Sequence, residues 1–334
     1  MNYIGIDLHK RFTHFAVLNE QGQVLDRSRI PTEKEAIISY LSKIKEPAKA
    51  TLEATRNWYW VFDTIEPMVK ELKLTAPSKV RLIAEATVKT DQIDAKVLAD
   101  LLRTNYLPTS YVPDQETRQR RELLRHRAFL VRIRSKVKNR IHALLDKLGI
   151  QHSFDNLFGK TGIEFLKSLK LDWAYQKELD DYLKTLDFFN ETEKEQNKII
   201  QKLAKESKEA NLLMTIPGIG YHNALLITAE IGDVSRFRDG NKFAAYCGLV
   251  PKVHISDRTV RYGHLTKAGD RWLRWIFIEA AHTARRHSLR FKKLYDRVYK
   301  KKGSQVAVGA VARELAVVSY YVLKNQTAFK DFIW

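Results

Sequence analysis

With Cys247 as its single cysteine in 334 residues, the chain can form neither an intrachain disulfide nor a cysteine-based zinc cluster. That scarcity suits a reducing compartment, and the expected location is the cytoplasm. No apolar run reaches the roughly 18 to 20 residues of a membrane span. The N-terminus enters a strand-like pattern without a basic segment and a long apolar stretch, so no signal peptide is expected. Acid is the other shortage: 39 Asp and Glu face 58 Lys and Arg, a formal net charge of +19 with a pI near 9.8. Such an excess points to a polyanionic partner, nucleic acid before an acidic membrane surface. Residues 114–150 carry eleven Lys and Arg against four acids, and residues 252–302 fifteen against four, so two stretches hold nearly all of the excess. One basic run reads equally well as a solvated helix face; two that concentrate the charge favour binding. The length exceeds one ordinary core and predicts two or three domains.

In the N-terminal third, Tyr3 to Asp7 reads as a short apolar strand ending in a carboxylate, and Phe12 to Leu18 and Gln23 to Ile30 alternate as two more strands around a turn at Asn19 to Gly22. A helix from Pro31 through Ile44, a strand over Lys49 to Ala54, a helix over Asn57 to Leu72, a strand over Leu74 to Pro77 and a helix from Asp91 follow. The order βββαβαβα predicts a mixed sheet with helices on its faces.

Asp91 and Asp94, three apart at the start of an apolar-periodic run, lie on one face of a helix's first turn, where they could share a divalent cation. Asp7 and Glu53 end strands and could converge on the same sheet edge. Hard oxygen ligands on rigid elements are what paired magnesium ions need to polarise a phosphodiester. Any one of these acids alone is more simply a solvated strand end or a helix N-terminal residue favoured by the dipole.

Taken together, Gly5-Ile6-Asp7-Leu8-His9, Leu52-Glu53-Ala54-Thr55 and Lys89-Thr90-Asp91-Gln92-Ile93-Asp94-Ala95 resemble the motifs of DEDD transposases of insertion sequences, the insertion sequence 110 family related to the Piv invertase. The last pattern is fairly specific, whereas the first also fits sugar kinases and actins. The resemblance implies an N-terminal domain with the RNase H-like fold of Holliday-junction resolvases such as RuvC. It makes Asp7, Glu53, Asp91 and Asp94 a tetrad binding magnesium or manganese. His9 and His14 lie near the first acid and read as ordinary surface or core residues.

Pro108 and Pro113 predict a linker over Leu107 to Asp114. Leu123, Leu130, Val137 and Leu144 then recur every seven residues, with Ile133, Ile141, Leu145 and Leu148 beside them, on a long helix that Gly149 ends. Arg118, Arg121, Arg125, Arg132, Lys136 and Arg140 on its remaining surface are candidate phosphate contacts, binding without reading sequence. Glu178 to Glu206 predicts a second helix and thus a helical hairpin. The apolar seam fits packing within the chain and a dimer contact equally well. The resemblance implies a coiled-coil region that helps assemble the recombinase as a homo-oligomer, a dimer or tetramer. Its implied partners are donor DNA, target DNA and a noncoding bridge RNA; the arginine-rich helix by itself fits duplex DNA equally.

Further on, Leu212 to Gly220 followed by Ala224 to Ile227 reads as helix, glycine hairpin, helix. Gly218 and Gly220 could bring backbone N–H groups to a phosphate, as in a helix-hairpin-helix element, or could form only a tight structural turn. Gly248-Leu249-Val250-Pro251 and Gly263-His264-Leu265-Thr266-Lys267-Ala268-Gly269-Asp270 resemble the elements that frame the serine of the family's second transposase domain. That register implies Ser256 as a nucleophile whose Oγ attacks the scissile phosphate; Asp257-Arg258 follows where members commonly carry glycine. Thr259, Thr266 and Ser235 are weaker candidates. Arg258, Arg261 and Lys267 could neutralise the pentavalent phosphate or contact DNA backbone. Trp272, Trp275, Phe291, Tyr295 and Tyr299 interleave the second basic run, and such aromatics read as core before base-stacking platforms.

The expected architecture is α/β plus all-α: a RuvC-like RNase H-fold domain over 1–112, a basic helical hairpin or coiled coil over 113–206, and a mainly helical transposase domain over 207–334. The expected activity is that of a DNA transposase or recombinase, its tetrad and Ser256 united in a composite site as the resemblance implies. Two alternatives stand beside it: a RuvC-like nuclease using metal-activated water, and a non-catalytic nucleic-acid-binding protein whose acids are structural.

Overall fold

The first strand, β1 (Asn2–Leu8), is buried over nearly its whole length and is central to a six-stranded mixed sheet of order β3-β2-β1-β4-β5-β6. The computed structural model describes residues 1–77, 80, 83, 91–256 and 259–331, without the side chains of 91–93, 255, 259, 260 and 262. It divides into two compact units, Met1–Val112 and Pro113–Trp334.

In the first unit, β2 (Phe12–Leu18) and β3 (Val24–Pro31) complete an antiparallel meander with β1. Strands β4 (Ala48–Glu53) and β5 (Glu71–Thr75) run parallel to β1, and β6 (Thr109–Ser110) runs antiparallel to β5. This is the mixed sheet the element order predicts. Period-two alternation divides it into two faces. Ile4, Ile6 and Leu8 pack with Ile37 and Leu41 of α1 (Lys34–Leu41) and Val61, Phe62 and Ile65 of α2 (Trp58–Ile65). Tyr3 packs on the other face with Leu98 and Leu102 of α3 (Asp91–Arg103).

Several boundaries differ from expectation, among them the strand expected over Leu74 to Pro77, which spans Glu71–Thr75. The helix expected to run from Asn57 to Leu72 ends at Ile65, followed by a 3-10 turn over Glu66–Met68. Pro67 in that turn has no N–H to continue an α-helical ladder. The chain is then free to enter β5 at Glu71, where the Glu71 carboxylate lies 2.8 Å from Lys49 Nζ on the neighbouring strand. The segment expected as a linker contains β6, and Thr75 Oγ1 donates to Pro108 O at 2.7 Å beside it.

The second unit contains α4 (Gln115–Lys147), α5 (Lys160–Ser168), α6 (Trp173–Glu206), α7 (Lys208–Met214), α8 (Tyr221–Ile231), α9 (Gly240–Tyr246), the ribbon β7 (Pro251–Ser256) and β8 (Thr259–Leu265), α10 (Arg271–His287) and α11 (Leu289–Asn325). Asp114 caps α4 by accepting from Thr117 N at 2.7 Å, and that bond holds its carboxyl below the usual range. Helix α4 serves two cores. Its C-terminal part, with Ile141, Leu144 and Leu145, packs against Leu179, Leu183 and Leu186 of α6. Its N-terminal part contributes Leu124 to a larger cluster with Ile200, Leu225, Phe243, Phe277 and Leu315. The seam therefore packs within the chain, and the long helices share one core with the residues after 207. Cys247 is part of it, and burial pushes its thiol up.

Helix α11 is long and apolar enough, by length and composition, to cross a membrane, although Arg313 and Glu314 interrupt its apolar run. Val308, Val311, Ala312, Leu315 and Ala316 on it are buried in the unit's own core, which accounts for its composition. Gly303, at φ 78°, interrupts its helical backbone.

Candidate active site and nucleic-acid surfaces

Adjacent parallel strands present Asp7 and Glu53 side by side. The β1–β4 register pairs Gly5 with Thr51 and Ile6 with Leu52, so the next residues along are the two acids, at the carboxyl ends of their strands. Alternation puts Asp7 on the α3 face with Tyr3 and Gly5, because Ile4, Ile6 and Leu8 occupy the opposite one. A Cβ on Gly5 would collide with the Ala95 carbonyl and stand 2.6 Å from Ala99 N. The glycine of the first motif and the alanine of the third are therefore a packing pair. They let α3 lie against β1 and carry Asp94 to the strand ends.

Asp7, Glu53 and Asp94 line one cleft of about 240 Å³, with His9, Thr55, Val97 and Leu98 among its other walls. Asp7 is buried, and its Oδ2 lies 3.0 Å from His9 Nε2. The two strand ends are tied together: the His9 carbonyl accepts from Thr32 Oγ1 at 3.0 Å and from Asn57 Nδ2 at 3.4 Å. His9, set aside on sequence grounds, belongs to this cleft, and so does Thr55. Each follows a tetrad acid by two residues in extended chain, and that i, i+2 spacing is the signal that could have found them. The side chain of Asp91 lies outside the described residues.

Three carboxylates facing one cleft repel one another unless protons or a cation neutralise them. The donor set, oxygen on rigid strand ends and a helix, suits a hard divalent cation in kind. As the side chains stand, no group of three or more His, Cys, Asp and Glu among the described residues is close enough to hold a metal ion.

In the second unit the two motifs that frame Ser256 form one structure. Asp270 N donates to Tyr246 O at 2.8 Å and Thr266 N to Val250 O at 2.9 Å. Gly248, at φ 67°, and Gly269, at φ 121°, occupy backbone regions that other residues rarely adopt. A Cβ on Gly269 would strike the Tyr246 carbonyl, and one on Gly248 would come 2.9 Å from Ala268 O. From this base the antiparallel ribbon extends with Pro251 opposite Leu265, His254 opposite Arg261 and Ser256 opposite Thr259. Ser256 is exposed at the ribbon's far end, on the same face as His254 and Arg261. Arg258 lies outside the described residues. Lys267 sits at the base, beyond the whole of β8 and so about 20 Å from Ser256 along the ribbon, with its carbonyl accepting from Arg274 Nη1 at 2.9 Å. Within the chain, therefore, Arg261 shares the serine's surroundings and Lys267 does not.

The six candidate phosphate contacts on α4 separate by burial. Arg118 is buried. Arg121 donates through Nε to Ala229 O at 2.7 Å and through Nη2 to Glu230 O at 2.9 Å. Arg125 clamps the Glu230 carboxylate with two bonds of 2.8 Å. Burial pushes the Glu230 carboxyl up, and Arg125 pulls it back. Arg118, Arg121 and Arg125 are thus turned inward, which corrects their expected place on an open basic face; for Arg121 and Arg125 the cause is the buried C-terminal end of α8. Arg132, Lys136 and Arg140 are exposed, with Arg140 Nε donating to Tyr182 Oη at 3.2 Å. The glycine hairpin separates in the same way. A Cβ on Gly218, at φ 89°, would come 2.5 Å from Ala280 O, so this residue serves close packing on α10. Gly220 is exposed and open at the N-cap of α8.

Carboxylates line a cleft at strand ends in the first unit, and exposed bases lie on helices of the second. Residues 4–150 match a family model described as a transposase, of the DEDD and IS110 type, and residues 210–296 match one described as transposase of the IS116/IS110/IS902 family. The chain is 26% identical to the transposase for insertion sequence element IS1328 of Yersinia enterocolitica, with 98% of each chain covered. A probable family 20 transposase of Pseudomonas aeruginosa is 25% identical, with 99% of each covered. The pilin gene-inverting protein of Moraxella bovis is 31% identical over 36% of this chain and 38% of that protein. This chain belongs to the IS110 family of insertion-sequence transposases, and is a DNA-processing enzyme. The tetrad positions fall within the first match and Ser256 within the second.

Proposed function

We propose that the protein cuts and rejoins DNA strands as a recombinase, with Ser256 as nucleophile and Asp7, Glu53, Asp91 and Asp94 as a divalent-metal site. The observation that carries the reading is the convergence of Asp7, Glu53 and Asp94 on one cleft at the ends of parallel strands, in a chain of this family. The strand order, a meander joined to two parallel strands, supports a RuvC-like RNase H fold for residues 1–112. Magnesium or manganese held by the carboxylates polarises the scissile phosphodiester when bound. Ser256 Oγ loses its proton and bonds to phosphorus, the P–O3′ bond breaks, and the released 3′-oxygen takes up a proton as a hydroxyl, so that no net proton is gained or lost. The phosphoserine ester retains the bond energy for transfer to a new strand without ATP. His9 holds and orients Asp7 at the cleft. Arg261, on the serine's face of the ribbon, neutralises the phosphate. The inversion carried out by the pilin gene-inverting relative supports strand exchange rather than cleavage alone. Donor and target DNA are the substrates, a noncoding bridge RNA encoded by the element is the guide, and the protein works as a homo-oligomer in the cytoplasm.

Incubation with magnesium and DNA carrying the element's ends is expected to give a protein-linked strand on a denaturing gel. Ser256→Ala abolishes that adduct, and Asp7→Asn reduces it by about 10³-fold, the scale of several kcal/mol of metal-dependent stabilisation. Full cleavage by Ser256→Ala with no adduct in the wild type would instead establish a nuclease using activated water. Bound DNA with neither adduct nor cleavage in the wild type, with or without magnesium, would leave only a nucleic-acid-binding protein.

A further inference from the structure

Tyr295 and Tyr299 lie one helical turn apart on α11, with ring centroids 5.6 Å apart and planes inclined by 16°. Tyr295 is anchored: the Arg285 guanidinium lies 4.3 Å from its ring centroid, and its hydroxyl shares a hydrogen bond of 3.0 Å with Ser304 Oγ. Its ring packs against the unit's core, as Phe291 and Leu294 do. Tyr299 is different. It takes no part in that core and remains 52% exposed, so packing does not account for an aromatic there. Lys292 and Lys302 fall on the same helical stripe, at i−7 and i+3 from Tyr299, and Arg297, Lys300 and Lys301 are also exposed beside it. Asp296 is the single acid between Lys292 and Lys302.

We propose that Tyr299, stacked on the anchored Tyr295 and ringed by exposed lysines, is a platform for an unpaired base of a nucleic-acid strand. The inference rests on the reading of this chain as a nucleic-acid enzyme and adds a site to it. A ring fixed from behind loses little freedom when a base stacks on it, and the flanking cations take the phosphates on either side. In a duplex the bases already stack on one another, so the platform selects single strands while the lysines bind both forms. A displaced DNA strand and a looped RNA offer the same chemistry.

The test uses the full chain without divalent cation, so that binding is read apart from catalysis, with labelled oligothymidylate, oligouridylate and a duplex of equal length. Tyr299→Ala is expected to weaken single-strand binding about tenfold and to leave the duplex and the melting temperature unchanged; Tyr299→Trp restores the affinity. A loss confined to oligouridylate assigns RNA as the occupant, and one confined to oligothymidylate assigns DNA. Equal losses on duplex and single strands, or single-strand affinity unmoved by Tyr299→Ala, overturns the proposal. A missing serine adduct would sink the recombinase mechanism and leave this result standing.

Discussion

The two basic stretches, 114–150 and 252–302, look alike as sequence and differ in what their charge does. In the first, Arg121 and Arg125 enclose Glu230, and Arg127 and Arg134 meet Glu193 of α6, a carboxylate that is itself buried. These guanidiniums tie α4 to α8 and α6. In the second, the lysines of 292–302 stand exposed, and Arg290 pairs with Glu314 at a half-open position. Net charge locates a possible polyanion site, but buried carboxylates elsewhere in the chain decide how much of that charge reaches solvent.

The comparison breaks most sharply at Glu230, which has no exposed surface. Glu230→Ala leaves two guanidiniums without their carboxylate, and stability is expected to fall by about 3 to 5 kcal/mol. Asp296→Ala, in the exposed stretch, is expected to change it by less than about 0.5 kcal/mol. Denaturant unfolding of the two variants side by side measures the contrast. Similar small losses for both would mean that the first stretch is as solvated as the second.

A pH scan probes the same interface with a somewhat smaller effect. Burial, and then the charge of Arg127, depress the His222 pKa from 6.5 to about 4. The ring is neutral in the folded chain, whereas the unfolded chain takes up its proton first as pH falls. Its contribution is therefore fully present above pH 6.5 and is lost between 6.5 and about 4. The total is about 3 kcal/mol, of which about 2 kcal/mol is gone by pH 5, before most carboxylates titrate. His222→Gln should flatten stability over that window; a slope identical to wild type would show that the ring is not held neutral.

What could be read in advance follows from how local its cause is. The meander, Asp7 and Glu53 were legible because strand alternation and strand ends are properties of a few consecutive residues. The packing of Gly5 on Ala95 gives a physical reason for two motif residues that carry no chemistry. His9 and Thr55 escaped because a lone polar residue after a strand has an ordinary explanation, and only the cleft supplies another. The inward turn of Arg121 and Arg125 was not legible at all, since Glu230 lies more than a hundred residues along the chain. Likewise, the apolar half of α11 resembles a membrane span until its neighbours in the core are known.

The smallest stability effect carries the finest discrimination within α4 itself. Arg132 and Lys136 are exposed, so Arg132→Ala and Lys136→Ala should leave unfolding within about 0.5 kcal/mol of wild type. If they contact duplex phosphates, each substitution removes about 0.9 from the slope of log affinity against log salt. Arg121→Ala should do the reverse, destabilising the unit through Glu230 while leaving that slope unchanged in the fraction that remains folded. Salt titrations of duplex binding, paired with unfolding curves, place each variant on one axis or the other. A salt slope that drops for Arg121→Ala as it does for Arg132→Ala would mean that the inward arginines are released to DNA on binding. The boundary between structural and nucleic-acid-binding charge on α4 would then move with the substrate.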